Sequence, residues 1–420
     1  MTDELEVRLH GEYLGLLRRA PRRSRENVIL EDVTPTSTKV RLAESFALRA
    51  GRRPDTDLVS RFLGGYLPEG AQRRALASKR AIEPNDLFAF LREFGSSIAG
   101  ALTFWGQATT EREPRYTPIS PKLLRQELQR AIKEHDLGIR DDSRSMIAGF
   151  QPKLLVSRFG DSGWSLPHGG GHSTHILKPR LQSRPTRLVD EFYSHELARA
   201  LGLATFASWL EGSGDGTYLA IERFDRRVHD ETVELVHQED AAQALSLGWA
   251  DDDLKFQDPE RPRDPRRPSA YRIAELTATL RGFEVVEQWV RQLLFRILIG
   301  DNDGHAKNVG ILHLPGEDRL TDMYDAVPNL FQPERIQWNM ALAIDGEFDR
   351  RRIDVERLQA EVASWRVLGA SRVHDVIDDV LGSFRSALDD VSVPRGGSNG
   401  LREFFGRAVD RLRAGDEIGE

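Results

Sequence analysis

One short stretch of the chain gathers acids, an amide, a histidine and a lysine at a spacing suited to phosphoryl transfer. The run Ile299-Gly300-Asp301-Asn302-Asp303-Gly304-His305-Ala306-Lys307-Asn308 is followed by a short apolar run, Val309 to Leu312, and then by Leu320-Thr321-Asp322-Met323-Tyr324-Asp325. Asp303 is placed to orient or accept the proton of an attacking hydroxyl. Asn308 offers a neutral oxygen and Asp325 a charged one, the hard ligands that Mg²⁺ takes while it holds a donor's phosphates. Lys307 is suited to neutralise charge on the transferred group, and His305 either faces the site or caps the loop. A polar interhelical loop with a capping Asp is the plainer reading, because Asp and Asn are common in turns. The Tyr324-Asp325 pair beyond a hairpin, at the expected distance, favours the chemistry.

Such residues need a rigid base. Val286, Trp289, Val290, Leu293, Leu294, Ile297 and Leu298 recur with a helical period, and Gly300 can end that helix. The polar run therefore starts where a buried helix stops. Upstream, Lys178 ends the strand-like run from Thr174 and can reach the α- and β-phosphates of a nucleotide, as in a kinase. Glu191, one turn into the next helix, is its best partner, with Asp190 and Glu196 as rivals. Two glycine-containing segments precede Lys178: Ile147 to Lys153 and His168-Gly169-Gly170-Gly171. Glycine lets backbone N–H groups approach phosphate. The first is favoured as the phosphate loop (Ala148, Gly149, Phe150 and Gln151, followed by Lys153), because the triple glycine lies very close to the lysine strand and short Gly-rich turns are mostly just turns. Tyr218 to Asp225 reads as a hinge whose backbone would bind the adenine edge, with Glu222 to Phe224 lining the pocket and Tyr324 assigned to the nucleotide as well.

Composition sets wider bounds. The chain has 420 residues, a formal net charge of −7 and no cysteine. That length can bury a sizeable core in two or three domains. The charge does not imply wholesale nucleic-acid binding, and the missing thiols exclude disulfides and thiolate catalysis. An acidic start without a basic-then-apolar pattern, and no apolar run long enough to span a bilayer, lead to the expectation of a cytoplasmic protein. Short strands are expected at Val7 to Leu9, Leu14 to Leu17, Asn27 to Leu30 and Thr38 to Leu42. Arg18, Arg19, Arg22, Arg23 and Arg25 read as a solvated turn. Leu67-Pro68-Glu69-Gly70 is a turn that starts a helix. Ala108 to Pro121 is a candidate linker, the runs between Lys153 and Leu177 look like a meander, and the chain beyond about Glu239 reads as almost wholly helical. Asp258 to Ser269 is expected to be a mobile surface loop and the tail from Ala414 to be frayed. The runs Arg261 to Arg267 and Arg350-Arg351-Arg352 read as solvated faces. The expected fold is α+β: a bilobal protein-kinase-like arrangement with an extra strand-and-helix subdomain over 1–107, a nucleotide-binding N-lobe over 122–235 and a mostly helical C-lobe over 236–413.

Taken in order, these segments resemble the HipA family, serine/threonine-kinase toxins of bacterial type II toxin–antitoxin systems. Phe62 to Gly70 with Arg73, Arg74, Ala75 and Leu76 is similar to the family's N-terminal "LLPEG" segment, and Ala99 to Leu102 to the end of that subdomain. Ala148 to Lys153, Thr174 to Lys178, Glu191 to Tyr193, Glu222 to Arg226, His237 to Asp240, Gly304 to Asn308 and Met323 to Asp325 follow in family order. The resemblance implies ATP as donor with Mg²⁺, Lys178 on the phosphates, Asp303 as the catalytic residue, and Asn308 and Asp325 as metal ligands. It also implies a small helix-turn-helix antitoxin of the HipB type as partner, operator DNA reached mainly through that partner, and a substrate such as an aminoacyl-tRNA synthetase whose phosphorylation arrests growth. One departure concerns self-inactivation. The family's phosphate loop often carries serines where this chain has Met146 and Ala148, so self-phosphorylation is expected to shift to Ser145 or Ser143, or to be lost. Two other readings compete: a catalytically weak co-repressor acting through its antitoxin, and a small-molecule or lipid kinase, against which the long N-terminal subdomain argues.

Overall fold

The N-terminal subdomain is a sheet packed on helices. β1 (Glu4–Leu9), β2 (Glu12–Arg19) and β3 (Val28–Glu31) precede α1 (Thr56–Gly64), α2 (Gly70–Lys79) and α3 (Leu87–Phe94), and β4 (Leu102–Trp105) returns to pair with β1. The antiparallel order is β3-β2-β1-β4. Asp55 and Asp86 accept N–H bonds at the starts of α1 and α3, the expected role of a short acid at a helix N-cap. Leu87, Phe88, Phe90, Leu91 and Phe94 bury the face of α3 in a core shared with Leu5, Val7, Leu17 and Phe62. The computed structural model describes residues 4–21, 25–34, 36–37, 40–106, 113–137, 145–149, 151–280, 283–332 and 337–420. Of the strand expected at Thr38 to Leu42, the described residues 40–42 form no strand, and Thr38 and Lys39 lie outside the described residues. The arginine cluster is paired: Arg18 with Glu4 and Glu31, Arg19 with Asp86, Arg25 with Glu83. Arg22 and Arg23 lie outside the described residues.

The middle of the chain forms the smaller lobe. β5 (Pro114–Pro118) and α4 (Pro121–Glu134) lead to β6 (Leu154–Val156), β7 (Ser165–Gly169), β8 (His175–Pro179), α5 (Arg187–Ala200), β9 (Ser208–Glu211) and β10 (Tyr218–Glu222). The main sheet has the order β6-β8-β10-β9. Two expectations change here. The candidate linker contains a strand, β5, with proline at both ends; among the described residues it pairs with β7 alone, an edge position where a proline's missing N–H is tolerated. The meander is broken, because β7 leaves the sheet to pair with β5 and β6 pairs directly with β8.

The hairpin β11 (Arg226–His229) and β12 (Thr232–Leu235) joins this lobe to the larger one. There β13 (His237–Asp240), α6 (Ala241–Ala244), α7 (Ala270–Thr279), α8 (Phe283–Ile299), β14 (Gly310–Leu314), β15 (Glu317–Leu320), β16 (Asn339–Ile344), β17 (Glu347–Asp349), α9 (Val355–Ser364), α10 (Ala370–Asp390) and α11 (Leu401–Ala414) follow. Helices dominate, and β14-β15 is the hairpin expected before Tyr324-Asp325, but its partner β13 and the pair β16-β17 are strands that the helical reading missed. Short strands of three to six residues give too little alternation to stand out beside strong helical periods. The core centres on α8, where Trp289, Val290, Leu294, Ile297, Leu298 and Ile299 are buried. The tail is not frayed: Ile418 is buried and its N–H bonds Ile353, while Gly419 bonds Arg351. The loop at 258–269 is laced by Arg261–Asp258, Arg266–Asp264 and Arg267–Asp253 pairs. Arg350 departs from the solvated reading altogether. It is buried, donates to the carbonyls of Ile297 at 2.7 Å and Leu298 at 3.0 Å, and lies over Phe404. It bonds carbonyls of the last turn of α8, where the helix leaves acceptors unpaired, adding to the Gly300 N–H that Ile297 already accepts.

Candidate active site

The end of α8 becomes the site through one arginine and one glycine. Gly300 has a φ of +73°, the left-handed turn that ends a helix most cheaply without a Cβ. Arg296, on the buried side of α8, donates to Asp301, to the Asn308 carbonyl at 2.8 Å and to the Tyr324 carbonyl at 3.0 Å. A single guanidinium thus holds the loop 301–308 against the segment 323–325. Asp301 is fully buried and accepts the Asp303 N–H at 3.2 Å; burial raises its carboxyl to about 6, with Arg296 opposing. Neither residue was singled out from the sequence. The signal was an arginine inside an otherwise apolar helical period.

Asp303, Asn308 and Asp325 come to one cleft between the lobes, together with His305, Lys307 and Tyr324. Half of the Asp303 side chain is open, at 51 %. Partial burial, with the Asp301 charge behind it, raises its carboxyl to about 7. Asn308 donates its amide N–H to the Asp303 carbonyl at 2.9 Å, which leaves its side-chain oxygen as the remaining donor atom for a ligand. His305 is buried, with its Nε2 3.9 Å from Asp303 and its ring edge-on to Phe256; burial holds it neutral, well below the ordinary histidine range. Lys307 lines the cleft, but its ammonium bonds the Gly65 carbonyl at 2.6 Å rather than pointing freely to a phosphoryl group.

Across the cleft Lys178 lies between Glu191 at 2.5 Å and Asp325 at 2.6 Å. Burial alone would lower its pKa, but the two carboxylates outweigh that and hold it above the usual lysine range. Lys178 and Lys153 hold Asp325 ionised, well below the usual carboxylate range, despite burial. The rivals for Lys178 are placed elsewhere: Asp190 accepts from Gln332 and Ser398, and Glu196 pairs with Arg199. In the phosphate loop Lys153 donates to the Ala148 carbonyl at 3.1 Å, and burial lowers its pKa to about 8. Gly149 has a φ of +125°, and a Cβ there would lie 2.3 Å from the Lys153 ammonium. Gln151 is held from both sides, its backbone carbonyl by Gln72 and its amide oxygen by Arg187. The triple glycine instead turns at the end of β7, away from the cleft lining. Phe150 and Ser143 lie outside the described residues; Ser145 is buried and bridges Ser97.

The hinge side is apolar. Ile147, Ile176, Phe206 and Ile221 line it, and Phe224 meets Tyr324 with ring centres 5.4 Å apart. Glu222 accepts the Ala207 N–H at 3.1 Å and the Tyr324 hydroxyl bonds the Lys307 carbonyl. Gly65, Tyr66, Glu69 and Ala99 from the N-terminal subdomain reach the same cleft, which the sequence did not signal. An oxygen of Asn308 and a carboxylate oxygen of Asp325 form a hard donor set that fits Mg²⁺, and the apolar slot beside two lysines fits a nucleotide.

The comparisons with known proteins agree. The HipA N-terminal domain matches residues 5–105 and the HipA-like C-terminal domain matches residues 145–388. A putative kinase, Y4mE, of Sinorhizobium fredii is 26 % identical over 86 % of this chain and 85 % of its own length. The serine/threonine-protein kinase toxin HipA of Shewanella oneidensis is 29 % identical over 72 % of this chain and 70 % of its own. A solved complex of the Shewanella oneidensis HipA, HipB and operator DNA aligns with a TM-score of 0.78 at 24 % identity, covering 98 % of this chain and 96 % of the solved one. That likeness shows the α+β, kinase-like fold. With both domains matched in order, the chain belongs to the HipA family of serine/threonine-kinase toxins, and it is a kinase.

Proposed function

We propose that the protein transfers the γ-phosphoryl group of ATP to a serine or threonine hydroxyl of a protein. The observation that carries this is the Lys178–Asp325 contact at 2.6 Å beside an open Asp303, which joins a phosphate-anchoring cation, a metal-ligand oxygen and a base across one cleft. Asp303 orients the acceptor hydroxyl and takes its proton as the new P–O bond forms and the bond to the β-phosphate oxygen breaks, leaving ADP. Lys178, fixed by Glu191, holds the α- and β-phosphates, and Ala148 to Gln151 with Lys153 cover them. Phe224, Tyr324 and the Glu222 backbone bound the adenine. Asn308 and Asp325 would hold Mg²⁺, which supplies neutralisation of phosphate charge. Residues 1–107, 122–235 and 236–413 serve as N-terminal subdomain, nucleotide lobe and catalytic lobe.

The solved relative is a complex of HipA, HipB and operator DNA, so a HipB-like helix-turn-helix antitoxin is the partner we assign, with DNA reached mainly through it. No helix among the described residues is long and apolar enough to cross a membrane; we place the protein in the cytoplasm. The substrate we assign is a translation component, an aminoacyl-tRNA synthetase first. The test is transfer from γ-labelled ATP with Mg²⁺ in cell lysate, wild type against Asp303→Gln. A band seen only with wild type, identified by mass spectrometry, supports the reading. Blank lanes despite ATP binding, with a purified synthetase added, transfer the assignment to a co-repressor.

A further inference from the structure

The N-terminal subdomain meets the catalytic lobe at the start of α2, and the contacts run in both directions. Glu69 occupies the N-cap position of α2, yet its side chain makes no capping bond. The Gly70 N–H is taken instead by Asp252 at 3.0 Å, whose other oxygen takes Arg73 at 2.8 Å. Arg73 also donates to the carbonyls of Trp249 and Ala250. Asp252 and Arg73 therefore fasten the two parts without Glu69. The Glu69 carboxylate turns the other way, into the catalytic lobe. It accepts from Lys255 at 3.0 Å and lies 3.9 Å from the Lys307 ammonium.

Both lysines are tied to the catalytic loop. Lys307 is part of it. The Lys255 carbonyl accepts the Ala306 N–H at 3.2 Å, and the adjoining Phe256 ring stands edge-on to His305. Glu69 and Lys255 are only 6 % and 4 % exposed. A buried ion pair is a weak source of net stability, because desolvation offsets most of the attraction, and Glu is not among the preferred N-cap residues. What the geometry gives Glu69 is a direct bond to Lys255, which is tied to the loop that carries Asp303 and Asn308, and a longer approach to Lys307, which also bonds the Gly65 carbonyl and lies 3.7 Å from Asp240. We propose that Glu69 is a positioning residue for phosphoryl transfer, acting through Lys255 and Lys307, so that the N-terminal subdomain completes the active site. This rests on the kinase reading above.

The test uses the full chain: wild type, Glu69→Gln, Lys255→Met, the double variant and Asp252→Asn. Single-turnover transfer from γ-labelled ATP to the acceptor found in lysate is measured at saturating ATP, with ATP affinity by titration and melting temperature as the folding check. Glu69→Gln is expected to slow transfer about tenfold, the scale of a small misplacement of reacting groups, with ATP affinity within about twofold of wild type. The double variant is expected to be no slower than Lys255→Met, because both act along one path. Asp252→Asn, which loosens the fastening alone, is expected to lower the melting temperature and spare the rate. Glu69→Asp, which keeps the charge, is the second variant should Glu69→Gln fold poorly, and is expected to fall between it and wild type. A wild-type rate in both Glu69 variants overturns the proposal, as does an equal loss in Asp252→Asn. A wild type that transfers no phosphate fails the kinase reading itself and takes the proposal with it.

Discussion

Two buried lysines flank the catalytic loop, and only one of them faces an open oxygen. Lys178 meets Glu191, which is sealed, and Asp325, which is 34 % exposed to the cleft. Lys255 meets Glu69, and that pair is closed on both sides. The contrast separates two jobs. On the function proposed above, a group that touches a ligand must keep an atom open to it, and Asp325 gives one oxygen to Lys178 while its side chain stays partly exposed. A group that only holds neighbours in place works best dry, where its interaction is least screened.

Substitutions break this comparison in a definite order. Asp325→Asn removes the open oxygen's charge and is expected to slow phosphate transfer on the order of 10³-fold, measured as labelled product under saturating ATP, with the fold retained by circular dichroism. Lys178→Met removes the cation that meets both carboxylates. About 10²-fold loss in rate is expected, together with weaker ATP binding by titration, which sets it apart from Glu69→Gln. A variant with full ATP affinity would show that Lys178 does not contact phosphate.

Two further variants sharpen the meaning of a sealed cation. Arg350 is buried against backbone carbonyls and Phe404, far from ligand chemistry, and burial lowers its pKa to about 9. Arg350→Met is expected to cost about 3 kcal/mol in urea unfolding, from two charge-assisted hydrogen bonds lost at the end of α8. The smallest effect is expected at His313, buried between Glu239 and Asp318 at 2.8 Å each, with His237 stacked on it. Burial opposes its charge, but the two carboxylates prevail and raise it to about 9 from an ordinary 6.5. A raised histidine contributes stability that is complete below pH 6.5 and lost as pH rises through about 9. The melting temperature is expected to fall by about 2–4 °C across that window, and His313→Gln to flatten the slope. An unchanged slope in the variant would assign the pH dependence to other groups.

Much of the site was legible because its residues lie close together in the chain. Asp303 and Asn308 sit on one loop, Lys178 ends a strand, and Asp325 follows one hairpin later; local spacing and a long helical period suffice to read these. The sequence already ranked Glu191 first as the partner of Lys178, and the structure excludes its two rivals on the same helix: Asp190, equally buried, faces Gln332 and Ser398, and Glu196 faces Arg199. The broken meander and the strand within the candidate linker were hidden for a related reason. Pairing β5 with β7 and β6 with β8 is a choice among distant partners, and alternation within one strand says nothing about its neighbour.

By itself, the sequence determined the class of chemistry, the main elements that carry it and the order of the N-terminal and C-terminal domains. Those follow from residue types, helical period and turn residues, all of which act over a few positions. Only the tertiary structure decided which charges meet. Arg350 under the end of α8 and Glu69 against Lys255 look, in sequence, like ordinary surface residues, and Arg296 stands out only as a charge in an apolar helical period, with nothing to name the two loop segments it joins. Burial makes them organisers, because a charge removed from water must find its partners within the protein.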